Sequence, residues 1–177
     1  VELRTWPDYT GVTAGLLSGE LQAAGLGAGD YVAIFLQDPD AIEPLVTTQQ
    51  EDGTLGYRSV LVVRADSPYR SLADLRGRSV MFTERLSASG FLVPYYELTK
   101  EGYRPDRFFG RLGFSGSHPS AVAAVLNGQA DAAVTWSSGV GDHAEGYSRG
   151  NLRRMVERGA LDMNDVRILW TSELIPA

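Results

Sequence analysis

Three segments of the chain place hydrogen-bonding side chains where a helix is predicted to begin. These helix starts are Asp8-Tyr9, Ser87-Ala88-Ser89-Gly90 and Ser117-His118-Pro119. Each follows a predicted strand or extended segment, and ligands of open α/β sheets bind beyond the carboxyl ends of strands. A helix start offers free backbone N–H groups and about half a positive charge. The spacing therefore predicts an anion-binding cleft that needs no lysine.

Each of these side chains also has a structural explanation when it is considered alone. Ser87 is a suitable N-cap, which is the usual role of a serine at a helix start. His118 could be a cap or a surface residue. Tyr9 and Tyr57 could be half-buried packing residues with solvated hydroxyls. The individual residues therefore leave both interpretations open.

Catalytic and metal-binding patterns are weak. Ser87, His118 and Asp131 could form a triad, but the Ser87 segment is not a Gly-x-Ser-x-Gly elbow. The two histidines, His118 and His143, lack the His-Glu-x-x-His spacing of a zinc site. The glycines of segment 25–29 lack the dinucleotide-binding spacing and a recognisable helical pattern after them. We therefore expect no enzyme activity, no cofactor and no metal.

The composition restricts the classes of partner. The 177 residues carry a formal net charge of −6 and no dense Lys/Arg cluster, so nucleic acid and anionic membranes are not expected as partners. The absence of cysteine excludes a thiol nucleophile, a disulfide framework and a Cys-ligated metal. No apolar run approaches the roughly 18 residues of a membrane span.

Short apolar runs alternate with helical stretches, which predicts an α/β fold with a largely parallel sheet. The continuous apolar run of residues 60–63 is typical of a strand that is covered on both faces. The predicted strands cover residues 2–6, 23–26, 43–48, 59–64, 79–83, 108–114, 130–135 and 166–170.

The predicted helices cover residues 8–18, 71–75, 87–101, 119–127 and 151–159. Pro94 would lie inside the third of them, so we expect a kink or a late start there. Segments 137–141 and 146–150 are rich in Gly and Ser and predict loops. A lobe boundary is expected near residues 55–57.

The chain resembles the phosphate, phosphite and phosphonate substrate-binding proteins of ABC importers. The resemblance extends from about Trp6 to Ala177, and its motifs follow one another in the family's order. They are Pro7-Asp8-Tyr9-Thr10-Gly11, residues 19–24, Gly56-Tyr57-Arg58-Ser59-Val60, residues 66–68 and 72–77, Ser87-Ala88-Ser89-Gly90-Phe91-Leu92-Val93-Pro94, Gly116-Ser117-His118, Asn127-Gly128-Gln129-Ala130-Asp131 and residues 170–176.

The resemblance implies a type II periplasmic-binding-protein fold, in which crossing strands join two α/β lobes. Residues 1–57 would form part of lobe one, residues 58–171 lobe two, and residues 172–177 the start of the return to lobe one. The first lobe would be incomplete in this chain. The ligand contacts that the resemblance implies are the hydroxyls of Tyr9, Tyr57, Ser87 and Ser89, the backbone N–H groups of Ala88 and Ser89, and His118 from the opposite helix start.

The resemblance also implies a function and a location. We expect a periplasmic or membrane-anchored extracellular protein, monomeric, that captures a small phosphorus oxyanion and delivers it to an ABC permease. A ligand-sensing domain of a signalling receptor is an alternative that uses the same site. A hydrolase that uses Ser87 and His118 is a second alternative.

Two residues are candidates for ligand selectivity. Family members that recognise an ammonium group carry a carboxylate a few residues after the strand that begins near Asp131. This chain has Trp136, Ser137 and Ser138 in that stretch. An ammonium group desolvated without a carboxylate partner is costly. We therefore expect Trp136 and Ser138 to favour phosphite or methylphosphonate over 2-aminoethylphosphonate.

Overall fold

A computed structural model describes residues 2–6 and 9–176 of the chain. Residues 58–171 contain one sheet of five strands, in the order β3-β2-β4-β1-β5. The strands are β1 (Arg58–Arg64), β2 (Ser79–Phe82), β3 (Arg111–Phe114), β4 (Ala132–Ser137) and β5 (Val166–Thr171). All five correspond to strands that the sequence predicts.

The sheet is mixed rather than largely parallel. Strand β2 runs parallel to β3 and β4, whereas β1 runs antiparallel to both of its neighbours, β4 and β5. Strand β1 therefore runs in the opposite direction to the other four strands. A central strand covered on both faces has a continuous apolar sequence, which carries no information on its direction.

Two apolar clusters cover the two faces of this sheet. Val60 and Val62 of β1 point into one cluster, and Leu61 and Val63 point into the other. This alternation is the two-residue period of a strand. Because both clusters are built on β1, the strand is a rigid base for the residues that precede it, including Tyr57.

The helices surround the sheet and extend in front of it. They are α1 (Tyr9–Leu17), α2 (Ala28–Gln37), α3 (Val93–Lys100), α4 (Pro105–Phe108), α5 (His118–Leu126) and α6 (Asn151–Glu157), with short 3-10 helices at Leu72–Leu75 and Met163–Asp165. The predicted helix starts at residues 87–90 and 117–119 are thus in place. Asp8 of the first helix start lies outside the described residues.

Helix α2 is absent from the prediction, so the interpretation that no helical pattern follows glycines 25–29 is wrong. The residues that α2 buries are Gly29, Asp30 and Ile34. Tyr31, Ile34 and Phe35 have the i, i+3, i+4 spacing of an amphipathic helix, so the sequence did contain a signal for α2. The neighbouring Val32 and Leu36 extend the apolar run to other faces of the helix and make the period harder to recognise.

Three predicted strands do not form. Residues 2–6, 23–26 and 43–48 have no regular secondary structure and pair with no strand within the described residues. Strand propensity describes how a side chain fits a pleated surface, and a strand exists only where a neighbouring strand completes its hydrogen bonds. The predicted strand 108–114 is also shorter, because α4 ends at Phe108 and β3 begins at Arg111.

The segment around Pro94 confirms the expected late helix start. A π-helical turn, Ala88–Leu92, precedes α3, and Pro94 lies in the first turn of α3, where no N–H is needed. Such π turns are rare and frequent at functional sites. Gly90 is required inside it, because a Cβ there would lie 1.7 Å from the hydroxyl oxygen of Thr83.

Helix α2 contacts the segment before this π turn through a glycine. A Cβ on Gly29 would lie 1.9 Å from the carbonyl oxygen of Leu86. We expect Gly29→Ala to lower the free energy of unfolding by about 1–3 kcal/mol, since a backbone carbonyl cannot yield as a side chain does. Urea denaturation measures this change. Gly25→Ala is the matched control, because a Cβ on Gly25 meets no atom within 4 Å; equal effects of the two substitutions would contradict the expectation.

Candidate anion-binding site

Four of the predicted ligand contacts come together as two hydrogen-bonded pairs. The Tyr9 phenol at the start of α1 is hydrogen-bonded to Ser87, and the Tyr57 phenol just before β1 is hydrogen-bonded to Ser89. Burial is the main cause that raises the pKa of both phenols. Both tyrosines therefore remain neutral donors at physiological pH. Four hydroxyls from three separate parts of the chain face one another.

The π turn holds its part of this cluster rigidly. Ser87 and Ser89 are each 4 % exposed, and the Ser87 hydroxyl accepts a hydrogen bond of 3.0 Å from the Gly90 N–H. The Ser59 hydroxyl donates to the Ser89 carbonyl at 2.7 Å. In the part of the chain that the structure describes, the N–H groups of Ala88 and Ser89 donate to no backbone carbonyl. Groups of this kind at a helix start are the usual donors to a bound anion.

A cleft of about 440 Å³ opens between the N-terminal segment and the helices α5 and α6. Its wall includes Tyr9, Glu84, Ser117, His118, Trp136 and Arg154. The Trp136 ring contacts both Tyr57 and His118. Its centroid lies 5.3 Å from the ring centroid of Tyr57 and 6.5 Å from that of His118. Of the predicted ligand contacts, Tyr9 and His118 line the cleft, whereas Tyr57, Ser87, Ala88 and Ser89 are not among the residues of its wall.

His118 is held as a neutral imidazole at this cleft. Its Nδ1 lies 3.3 Å from the Thr135 hydroxyl oxygen. Burial, followed by the positive charge of Arg154, lowers the pKa of His118 to about 4. When the Thr135 hydroxyl donates to Nδ1, the imidazole proton is on Nε2. His118 is then a neutral hydrogen-bond donor in the wall of the cleft.

The two selectivity candidates lie in different environments. Trp136 is half-buried and lines the cleft. Ser138 is 2 % exposed, and its hydroxyl is hydrogen-bonded to Val140 and Ser148 in the Gly-rich loop. The structure does not bring Ser138 among the residues that line the cleft.

Arg154 is a site residue that the sequence does not reveal. Its guanidinium lies over the Trp136 ring, 5.8 Å from the centroid, and it lines the cleft. The neighbouring Arg153 is paired with Glu145 and Glu157. Within the described residues, no carboxylate forms an ion pair with Arg154. Two adjacent arginines on a helix point in different directions, so only the position of α6 shows which one faces the cleft.

Asp30 is the second residue that the sequence does not reveal, because it belongs to the unpredicted α2. It is 2 % exposed, and its Oδ1 has no hydrogen-bond partner within the described residues. Burial raises the pKa of its carboxyl group. Its charge acts on both phenols of the cluster, Tyr9 and Tyr57. Hydrogen bonds with the backbone of Gly27 and Asp30 lower the pKa of the Asp30 carboxyl group and partly offset the effect of burial.

The residues of the hypothetical triad are engaged elsewhere. Asp131 accepts hydrogen bonds from Tyr69 and from the hydroxyl and N–H of Ser79, at 2.7–2.8 Å. The other two members, Ser87 and His118, contact Gly90 and Thr135 respectively. Within the described residues, His118 is therefore not hydrogen-bonded to Ser87 as a base, and Asp131 does not orient His118.

Among residues 2–6 and 9–176, no group of three or more His, Asp or Glu side chains is arranged to hold a metal ion. Every helix in the same ranges is too short or too polar to span a lipid bilayer.

Comparison with known proteins identifies the family of this chain. The family model described as the periplasmic phosphonate substrate-binding protein of ABC transporters matches residues 1–177. The phosphate-import protein PhnD of Mycolicibacterium smegmatis is 28% identical over 182 residues, which cover 99% of this chain and 53% of that protein. The chain therefore spans about half the length of the curated relatives it matches.

Solved structures confirm the fold. A binding-protein component of an ABC phosphonate transporter from Pseudomonas aeruginosa superposes with a TM-score of 0.79 at 26% identity, covering 99% of this chain and 55% of that one. PhnD1 of Prochlorococcus marinus, in complex with methylphosphonate, gives a TM-score of 0.74 at 21% identity, covering 96% and 59%. The expected type II periplasmic-binding-protein fold is thus confirmed. This chain belongs to the family of periplasmic phosphonate substrate-binding proteins of ABC transporters.

Proposed function

We propose that this chain binds a phosphonate, or a closely related phosphorus oxyanion, for import through an ABC permease. The observation that carries the proposal is the meeting of two tyrosine–serine pairs on a π turn, one of whose tyrosines, Tyr9, lines a cleft together with His118. The proposed contacts are the hydroxyls of Tyr9, Tyr57, Ser87 and Ser89, the N–H groups of Ala88 and Ser89, and His118. No catalytic step is part of this proposal.

The donors suit a tetrahedral oxyanion. Neutral hydroxyls, N–H groups and an imidazole surround an anion without forming an ion pair, and each such hydrogen bond to a charged oxygen contributes about 1.5–3 kcal/mol. Arg154 adds a positive charge at the Trp136 side of the cleft. The overall charge of −6 is therefore no obstacle, because the local groups determine the potential in a cleft.

The proposed lobes are residues 1–57 and 58–171, with the return to lobe one starting in residues 172–177. Two backbone hydrogen bonds, of 3.0 and 2.8 Å, join Tyr57 to Ile175, and the Arg58 guanidinium donates to the Ser172 carbonyl. These crossing strands support a hinge next to a ligand contact, so that closure would bring Tyr57 onto the ligand. The proposed protein is a monomer that is located in the periplasm or anchored on the outer side of the membrane.

The proposed ligand preference is for small, uncharged substituents. Because the Gly-rich loop holds Ser138 away from the cleft, the preference rests on the Arg154 guanidinium beside Trp136, which would repel an ammonium group. Isothermal titration should therefore rank methylphosphonate and phosphite above 2-aminoethylphosphonate. Tenfold tighter binding of 2-aminoethylphosphonate than of methylphosphonate, about 1.4 kcal/mol, would refute the preference. Absence of binding to all three compounds and to phosphate would refute the function itself.

A further inference from the structure

Two arginines of α6 line the cleft, and neither is among the ligand contacts assigned above. Arg154 lies in the last turn of α6, and Arg158 is the residue that caps its end. Residues four apart on a helix lie on the same face, and both side chains are part of the cleft wall. Two positive charges therefore lie side by side in this wall.

No acid neutralises either of these two charges. Within the described residues, neither guanidinium forms an ion pair or a hydrogen bond, whereas the adjacent Arg153 is paired with Glu145 and Glu157. The one carboxylate in the described part of the wall is Glu84, which acts on Tyr9. Like charges four residues apart on a helix repel each other. A negatively charged group held by both arginines would remove this repulsion.

The helix dipole favours arginines at this end of α6, but it does not explain where Arg154 points. Its guanidinium lies 5.8 Å from the centroid of the Trp136 ring, and this ring also contacts His118. Contact with a ring uses none of the five N–H donors of a guanidinium. Arg154 is therefore held next to the ring that contacts a proposed phosphonate ligand group, with its donors unused.

The cleft is larger than a small phosphonate needs. Its volume of about 440 Å³ is within the range of about 300–1,000 Å³ that holds drug-sized ligands, whereas methylphosphonate has only a few non-hydrogen atoms. Apolar side chains, among them Trp6, Val12 and Met155, form part of the wall. The cleft therefore has room for a carbon chain that extends from the phosphonate contacts toward α6.

We infer that Arg154 and Arg158 form a second anion subsite, which receives a carboxylate at the far end of the ligand's substituent. The inference rests on the proposed function and specifies a ligand class, the carboxyalkylphosphonates. The preference proposed above compares uncharged with cationic substituents. An anionic substituent is the third case, and the charge that repels an ammonium group attracts a carboxylate. A guanidinium is weakly hydrated and can bind a carboxylate through two parallel N–H groups, so this pairing suits a partly desolvated cleft.

Isothermal titration with 3-phosphonopropionate and with its uncharged amide, 3-phosphonopropionamide, tests the inference. The acid should bind about tenfold more tightly than the amide at low ionic strength. Added salt should reduce this ratio, because both arginines are exposed. Arg154→Gln and Arg158→Gln should each lower the ratio, and the double variant should bring it close to one. Arg153→Gln is the matched control, since it removes an adjacent positive charge that is already paired with two acids, and it should leave the ratio unchanged.

The outcomes separate this inference from the function on which it rests. Binding of methylphosphonate by the wild type, with equal affinities for the acid and the amide, would overturn the subsite and leave the function standing. A ratio that Arg153→Gln lowers as much as Arg154→Gln does would also overturn the subsite, because the effect would then come from net charge alone. Equal losses of affinity for the acid, the amide and methylphosphonate in the double variant would place the arginines on the phosphonate group and overturn it too. Absence of binding of all three compounds would overturn both proposals.

Discussion

Replacing Ser87 and Ser89 together by alanine is expected to reduce the affinity for methylphosphonate at least about a hundredfold, or 2.7 kcal/mol. Each hydroxyl is proposed to donate to a charged ligand oxygen, and a bond of this kind contributes about 1.5–3 kcal/mol. Both serines are buried on a turn that the Ser59 hydroxyl and the Gly90 N–H hold in place. Isothermal titration measures the loss, and a double variant that binds as the wild type does would contradict the assignment.

The capping role of Ser87 has to be separated from its role in binding. Its hydroxyl accepts from the Gly90 N–H, so Ser87→Ala alone should cost about 1 kcal/mol of stability. Ser89 makes no such capping bond, and Ser89→Ala should weaken binding with little change in melting temperature. Ser71→Ala is the control, because Ser71 precedes a 3-10 helix outside the cleft. A large fall in melting temperature with unchanged affinity would support capping alone.

The second large effect is a loss of stability on mild acidification, caused by His118. Its pKa is about 4 in the folded protein, against 6.5 in an unfolded chain. Below pH 6.5 the unfolded chain binds a proton that the folded protein refuses, so the free energy of unfolding falls as the pH falls. The loss is complete near pH 4 and amounts to at most about 3 kcal/mol, at 1.36 kcal/mol per unit.

Chemical denaturation of the wild type and of His118→Gln, at several pH values between 7 and 4, measures this contribution. The difference in stability between the two should change with pH across that window, because glutamine does not titrate. His143→Gln is the control, since His143 is exposed on a loop outside the cleft. Asp30, whose pKa is raised, contributes with the opposite sign and cancels in the comparison. Parallel pH profiles for wild type and His118→Gln would show that His118 is not the buried neutral group described above.

Much of the fold is determined locally and can be predicted from the sequence. The run of residues 60–63 is apolar enough to identify a strand covered on both faces, and glycine or proline marks the ends of several helices. The serine segment 87–94 predicts an irregular helix start, because proline cannot continue the hydrogen-bond ladder. Tyr9, Ser87 and His118 are also recognisable from the sequence, since a helix start is a local feature with its own donors.

Only the tertiary structure decides which parts of this site meet. The direction of β1 depends on its neighbours, and strands 2–6, 23–26 and 43–48 do not form because pairing, not propensity, makes a strand. Ser138 is two residues after Trp136 in the sequence, but hydrogen bonds to Val140 and Ser148 hold it in a loop.

The two charged residues at the site are the clearest examples of what tertiary structure adds. Arg154 faces the cleft and Arg153 does not, because of how α6 is packed. Asp30 is buried in the first turn of α2, a helix that the sequence analysis does not predict although Tyr31, Ile34 and Phe35 have helical spacing. A charge acts on a site through space, and the distance in space between Asp30 and Tyr57 depends on how the whole chain is folded.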